Sequence, residues 1–253
     1  MIDNPNPPTW QDLQINVNRI LIEIGLQSEI GKVIETPRGN VEIDVYAIDT
    51  NSVDQIKYII ECKNWKTAIP QSIVHAFTTV MHETGGNIGF IISQRGFQSG
   101  AEGYTKNTNI KTLTYEDFQK RYFNIWFQNY FAVKIGEFSD ALIQYTEPIN
   151  TRRSRKLSEL TSERQLKFSK LFERYFHFGV TLCMIGFPKI VKQAVSIDDT
   201  PIDISELKNN IKKCGPEFNL KANDFRGILA ELNDIASNIT EEFNNIFGEN
   251  IFA

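Results

Sequence analysis

Asp44, Glu61 and Lys63 are residues whose types and spacing can do chemistry together. Asp44 lies in Val41-Glu42-Ile43-Asp44-Val45-Tyr46-Ala47, and Glu61-Cys62-Lys63 closes the run that begins at Ile56. Both segments are rich in β-branched and aromatic residues and alternate in character, so both read as strands. Alternation places Glu42, Asp44 and Tyr46 on one face of the first, with Val41, Ile43, Val45 and Ala47 on the other. On the second, Glu61 and Lys63 share a face, and Cys62 points away with Ile60. A mid-strand aspartate is disfavoured by propensity, which argues that it is there for its carboxylate. Two carboxylates on neighbouring strands repel unless a cation lies between them. Hard oxygen donors of this kind favour Mg²⁺ or Mn²⁺.

The surrounding elements must bring those strands together. Trp10–Ile24 reads as a first helix, apolar at Trp10, Leu13, Val17, Ile20, Leu21 and Ile24, with Thr9 as its cap and Gly25 at its end. Gly31–Thr36 reads as a strand, Pro37–Asn40 as a turn, then come Val41–Ile48 and Ile56–Cys62 as strands. Next comes a helix opening at Pro70, with a buried stripe of Ile73, Val74, Phe77, Val80 and Met81. His75 and His82 share a face of it and read as surface residues. Asn87–Ser93 is a further apolar strand, Ala101–Asn107 a short helix and Ile110–Thr114 a fifth strand. The expected core is αβββαβ, an α/β arrangement with mixed pairing, because a parallel crossover joins the third and fourth strands. The loop Ser93–Gly100 follows a strand's carboxyl end, where open α/β sheets meet ligands. Its Arg95 and Gln98 suit phosphate or base-edge contacts, as does Lys66 in the preceding loop.

Asp44, Glu61-Cys62-Lys63 and the later run Ile91-Ile92-Ser93-Gln94-Arg95-Gly96-Phe97 resemble the PD-(D/E)XK nuclease superfamily, nearest its Mrr-type restriction endonucleases. The resemblance spans roughly residues 10–118, and the proline that precedes the aspartate in that motif is Ile43 here. It implies that Asp44 and Glu61 hold a metal ion, with the backbone carbonyl of Cys62 as a further ligand. It implies that Lys63 positions or activates the attacking water. Such nucleases often set a Glu or Gln of the first helix beside the metal, and Gln14 fits better than Glu23 because it is nearer the helix start. They also often carry a polar residue, here Gln71, in the first turn of the next helix. The implied activity is Mg²⁺-dependent (or Mn²⁺-dependent) hydrolysis of DNA phosphodiesters in restriction or defence against foreign DNA. The alternatives are a structure-selective repair or junction nuclease, and a non-catalytic DNA-binding or sensing protein on the same fold.

Composition sets bounds on these expectations. Apolar residues make up 41% and charged residues 23% of the 253, ordinary for a soluble globular protein. Met1–Thr9 is polar and proline-rich, unlike a secretory leader, and the apolar run Phe178–Phe187 is about half a membrane span. Cys62, Cys183 and Cys214 are scattered, which points to reduced thiols in a cytoplasm and away from zinc. The formal charge is −4, and residues 1–120 hold 10 Lys+Arg against 14 Asp+Glu, so they carry all of it. Any surface that grips DNA must therefore be local.

Residues 121–253 read as an all-helical region serving recognition, homodimerisation or partner binding, following a nuclease domain over 1–120. Tyr122–Phe131 is an aromatic-dense helix, more in the manner of a core than of a base-stacking surface. Glu147–Ser158 reads as a connecting loop whose Arg152, Arg153, Arg155 and Lys156 can contact phosphates. Leu157–Gly179, Asp203–Lys213 and Asn223–Phe247 read as helices, and Phe178–Val195, interrupted by Pro188, is too apolar for a surface.

Overall fold

Helix α1 (Trp10–Glu23) begins where a short polar side chain can replace the missing turn. Thr9 Oγ1 accepts from the Asp12 N–H at 3.1 Å, and Asp12 Oδ2 accepts from the Thr9 N–H at 3.0 Å. This reciprocal box satisfies two otherwise orphaned donors. The computed structural model describes residues 1–186 and 203–252, in two compact units, Met1–Asn129 and Tyr130–Ala253. The sequence expectation for Phe178–Val195 lies outside the described residues from 187 onward.

In the first unit β1 (Gln27–Thr36), β2 (Gly39–Ile48), β3 (Lys57–Lys63), β4 (Ile88–Ser93) and β5 (Ile110–Thr114) form one sheet in sequence order. β1–β2 and β2–β3 are antiparallel, and β3–β4 and β4–β5 are parallel, so the sheet is mixed as expected. The parallel half needs crossovers, supplied by α2 (Gln71–Thr84) and α3 (Ser99–Tyr104). Pro70 is the cap of α2 rather than its first residue. Ile59 and Ile91 pack with Val74, Phe77 and Met81 of α2 and Ala101 of α3. Phe90 points to the opposite face of β4, where it meets Phe118 and Tyr122 of α4 (Tyr115–Trp126) edge-on and stacks with Tyr58. Residues just past 120 are thus core of the first unit, not the start of the second.

The amino-terminal arm is anchored too. Ile2 is fully buried, Asp3 pairs with Arg19 at 3.0 Å, and its N–H donates to Gln119 Oε1 at 2.8 Å.

A π-helical turn (Phe127–Phe131) leads into α5 (Ala132–Thr146) of the second unit. It is followed by α6 (Thr151–Ser158), α7 (Ser162–Gly186), α8 (Ile204–Lys213) and α9 (Phe225–Phe247). Here α5, α7 and α9 pack around a ring cluster in which Tyr145 stacks on Phe243 and Phe243 meets Phe168. Helices α5 and α7 approach closely because small residues line the seam: a Cβ on Gly186 would lie 2.8 Å from the Gly136 backbone.

Thr151–Ser158, expected as a loop, is helical, capped by Asn150 Oδ1 accepting from the Arg153 N–H at 2.8 Å. Arg153 is buried. Its guanidinium donates to the carbonyls of Gln144, Tyr145 and Glu147 at 3.2, 2.9 and 2.7 Å. It also lies over the rings of Phe168 and Phe172. These carbonyls belong to the last turn of α5, which has no intrahelical donors for them. The expected phosphate contact by Arg153 is therefore corrected: the side chain is used up inside its own unit. Arg152 and Arg155 are exposed, and Lys156 pairs with Glu249 at 3.0 Å.

Candidate active site

Asp44 sits where the sheet's pairing gives way. The β2–β3 ladder runs from Ile48↔Lys57 to Val45↔Ile60, and Asp44 is the next residue on β2. Its Oδ2 accepts a hydrogen bond from the Cys62 N–H at 2.7 Å. A side-chain carboxylate thus takes a donor on the edge of β3 that faces β2. The β1–β2 ladder has its own gap here: Ile30 pairs with Val45 and Lys32 with Ile43, while Gly31 and Asp44 between them do not pair. Gly31 has φ +69, a left-handed conformation that side chains other than glycine's rarely adopt. Asp44 is thereby freed from regular pairing on both sides.

Glu61 and Lys63 project from β3 and form an ion pair, both partly buried. Burial pushes the Glu61 carboxyl above the usual carboxylate range, the charge of Asp44 adds to the effect, and Lys63 opposes it. Burial pulls the Lys63 ammonium down, but the hydrogen bond and charge of Glu61, with Asp44, outweigh it and leave it above the usual lysine range. Cys62 is buried between them in sequence, and burial drives its thiol well above the ordinary range, so it is an inert packing residue. Its side chain faces away from the carboxylates, and only its backbone meets them.

Gln14 shares a cleft with Asp44. A cleft of about 670 Å³ is lined by Trp10, Gln11, Gln14 and Ile15 of α1, Ile30 and Gly31 of β1, and Glu42 and Asp44 of β2. Gln14 is buried, whereas Glu23, the other helix candidate, accepts from Trp126 Nε1 at 2.6 Å and serves packing. Among the described residues no three His, Cys, Asp or Glu side chains converge on one point. The oxygen donors on offer are two carboxylates and backbone, a set suited to Mg²⁺, which keeps waters and binds through one or two carboxylates plus substrate phosphate.

The loops after β3 and β4 are joined. Ile69 and Phe97 form a bridge, Ile69 N–H donates to Gly96 O at 3.0 Å, and Gln94 N–H to Lys63 O at 3.3 Å. Lys66, Arg95 and Gln98 stand exposed on these loops. Gln71 is exposed at the start of α2, its amide oxygen 3.1 Å from where a Cβ on Gly100 would lie. His75 bonds Tyr104 OH through Nδ1 at 2.7 Å on the helix surface, in keeping with a non-catalytic role. Arg152 and Arg155 belong to the second unit.

Trp10, Ile15, Ile30 and Gly31 were not legible as site residues. Trp10 was expected in the buried stripe of α1 and is 55% exposed. The available signal was Gly31, since a glycine inside a strand pattern often marks a bulge or a close approach.

Among curated proteins none matches the sequence. A crystal structure titled "Protein of Unknown Function AF1548" aligns over 94% of this chain and 98% of that one, at 14% identity and TM-score 0.39. The model of the Mrr catalytic family, described as restriction endonuclease, matches residues 8–122, which hold α1, the whole sheet, Asp44, Glu61 and Lys63. Over residues 8–122 the chain therefore matches the Mrr family of restriction endonucleases, in keeping with the expected nuclease fold.

Proposed function

We propose that the protein is a Mg²⁺- or Mn²⁺-dependent DNA endonuclease, acting in defence against foreign DNA in the cytoplasm. The observation that carries this reading is the meeting of Asp44 with the Glu61-Cys62-Lys63 backbone at the broken edge of the β2–β3 ladder. Asp44 and Glu61 would hold the cation, with the carbonyl of Cys62 beside them. The donor set fits: burial, and after it the charge of Asp44, raises Glu61, and Lys63 supplies one positive charge against two carboxylates. When bound, the cation supplies positive charge against the phosphate oxygens and favours ionisation of water.

The chain's own residues do the rest. Lys63 stays protonated at neutral pH, so it acts as a hydrogen-bond donor and point charge and not as a base. It would orient the attacking water or steady charge on the phosphate. Gln14, neutral and buried in the same cleft, would orient water without adding charge. Water oxygen bonds to phosphorus as the phosphorus–oxygen bond to the leaving strand breaks. The water gives up its proton to solvent, the leaving oxygen takes one from solvent, and no side chain is covalently changed.

Supercoiled plasmid incubated with Mg²⁺, Mn²⁺, Ca²⁺ or chelator tests the reading. Cleavage is expected with Mg²⁺ and Mn²⁺ only, because Ca²⁺ takes longer, looser coordination. Cleavage in excess chelator would refute the metal mechanism. The second unit is assigned DNA contact through Arg152 and Arg155, or homodimerisation, which light scattering on the intact chain decides.

A further inference from the structure

The cleft that holds Asp44 has one wall unsuited to a phosphate chain. It carries the carboxylates of Glu42 and Asp44 and, among the described residues, no cationic side chain lines it. Lys32, next to Gly31, is engaged by Glu29 and lies 4.1 Å from the centre of the Tyr46 ring. A phosphodiester laid along this wall meets like charge. The uncharged part of the wall is apolar and open: Trp10 is 55%, Ile15 50% and Ile30 41% exposed. Trp10 and Gln14 are one helical turn apart, as are Gln11 and Ile15, so the aromatic ring and the buried amide line the cleft together.

The position of Trp10 is also fixed from behind. The capping box at Thr9 fixes the start of α1, and Asn64, the residue after Lys63, donates to the Pro7 carbonyl at 3.3 Å. An exposed indole on an anchored helix start, lining an acidic cleft, offers a π-face to another flat ring. DNA offers such a ring only when a base is out of its stack.

We propose that Trp10, flanked by Ile15 and Ile30, is a stacking platform for an unpaired base of the DNA substrate next to the phosphate attacked. The proposal rests on the nuclease reading for the identity of its ligand, and it narrows the substrate to DNA that is single-stranded, bulged or locally opened. The platform supplies affinity through uncharged surface on a wall whose carboxylates, without a cation, repel phosphate.

Binding measured in chelator separates the platform from the chemistry. Fluorescence anisotropy would compare a labelled single strand of about a dozen nucleotides with its fully paired duplex, a length suited to one such site. The intact chain, Trp10→Ala and Trp10→Phe are the proteins compared. Trp10→Ala is expected to weaken the single strand by about five- to twentyfold, the lower range for one base on an aromatic ring. It should change the duplex less than twofold, while Trp10→Phe restores most of the loss. Equal losses on both ligands, no loss on the single strand, or no single-strand binding by the unaltered chain would each overturn the proposal. Far-ultraviolet circular dichroism confirms folding of each variant. A protein that binds through Trp10 but cleaves no DNA with Mg²⁺ would defeat the nuclease reading and leave the platform standing.

Discussion

Asp44 Oδ2 and the backbone N–H of Cys62 lie 2.7 Å apart, a side-chain acceptor on β2 meeting a main-chain donor on β3. The bond fixes the separation of the two strands at the point where their ladder ends. It also commits one oxygen of Asp44 and leaves the other for a ligand.

That division of labour separates charge from geometry. Asp44→Asn keeps an acceptor for Cys62 and loses the charge, whereas Asp44→Ala loses both. Plasmid cleavage is expected to fall in both, and in Glu61→Gln and Lys63→Met, by about a hundredfold or more, the usual cost of removing an electrostatic element from a site. Near-native cleavage by Asp44→Asn would remove Asp44 from the metal.

Glu61 gives a pH signature. Its carboxyl titrates above the usual range through burial and the charge of Asp44, so the folded protein favours its protonated form more than the unfolded chain does. Without divalent cation its contribution to stability is therefore present at low pH and lost as pH rises through that raised range. Thermal unfolding in chelator should show this loss in the unaltered protein and not in Glu61→Gln. Excess Mg²⁺ should reverse it by binding the folded state. A pH profile of stability identical in the two proteins would contradict the assignment.

Arg153 and its neighbours are expected to separate cleanly. Arg153→Ala leaves carbonyls of the last turn of α5 without donors, and should cost about 2–4 kcal/mol by urea denaturation, since each orphaned buried group costs about 1–3. Arg152→Ala/Arg155→Ala should be neutral for stability. If those two side chains meet phosphate, the slope of log affinity against log salt flattens by up to about 0.9 per contact. An unchanged slope would leave them as a solvated helix face.

Gly31→Ala introduces a side chain at φ +69, with its Cβ 3.4 Å from Glu42 Oε1. The expected cost is about 1–2 kcal/mol for the left-handed conformation. Activity should fall more than this alone predicts, because Asp44 stands opposite in the gap of the ladder. A variant equally destabilised but fully active would show that the gap is not needed for the site.

The placement of the candidate residues was legible because it depends on strand alternation, which survives in a single sequence. Asp44, Glu61 and Lys63 could be set on neighbouring strands from their spacing, and the mixed sheet followed from the crossover. The mistakes arose where tertiary packing decides. Arg153 reads as one more cation in a basic run, and nothing local reveals that the end of α5 lies beneath it. Trp10 completes a helical stripe by periodicity, yet in the first turn of α1 it lies open at a cleft and is not packed into the core. Tyr122 looked like the start of a second region because its partner, Phe90, is distant in sequence.

The bridge between Ile69 and Phe97 makes one plate of two loops. Lys63, through its carbonyl, and Arg95, one residue beyond Gln94, sit on the same plate. Backbone bonds connect the loop that carries Arg95 to the end of β3 at Lys63. On the proposed nuclease reading, substrate held at Arg95 would load the strand end that carries Lys63, so grip and chemistry would share one mechanical part.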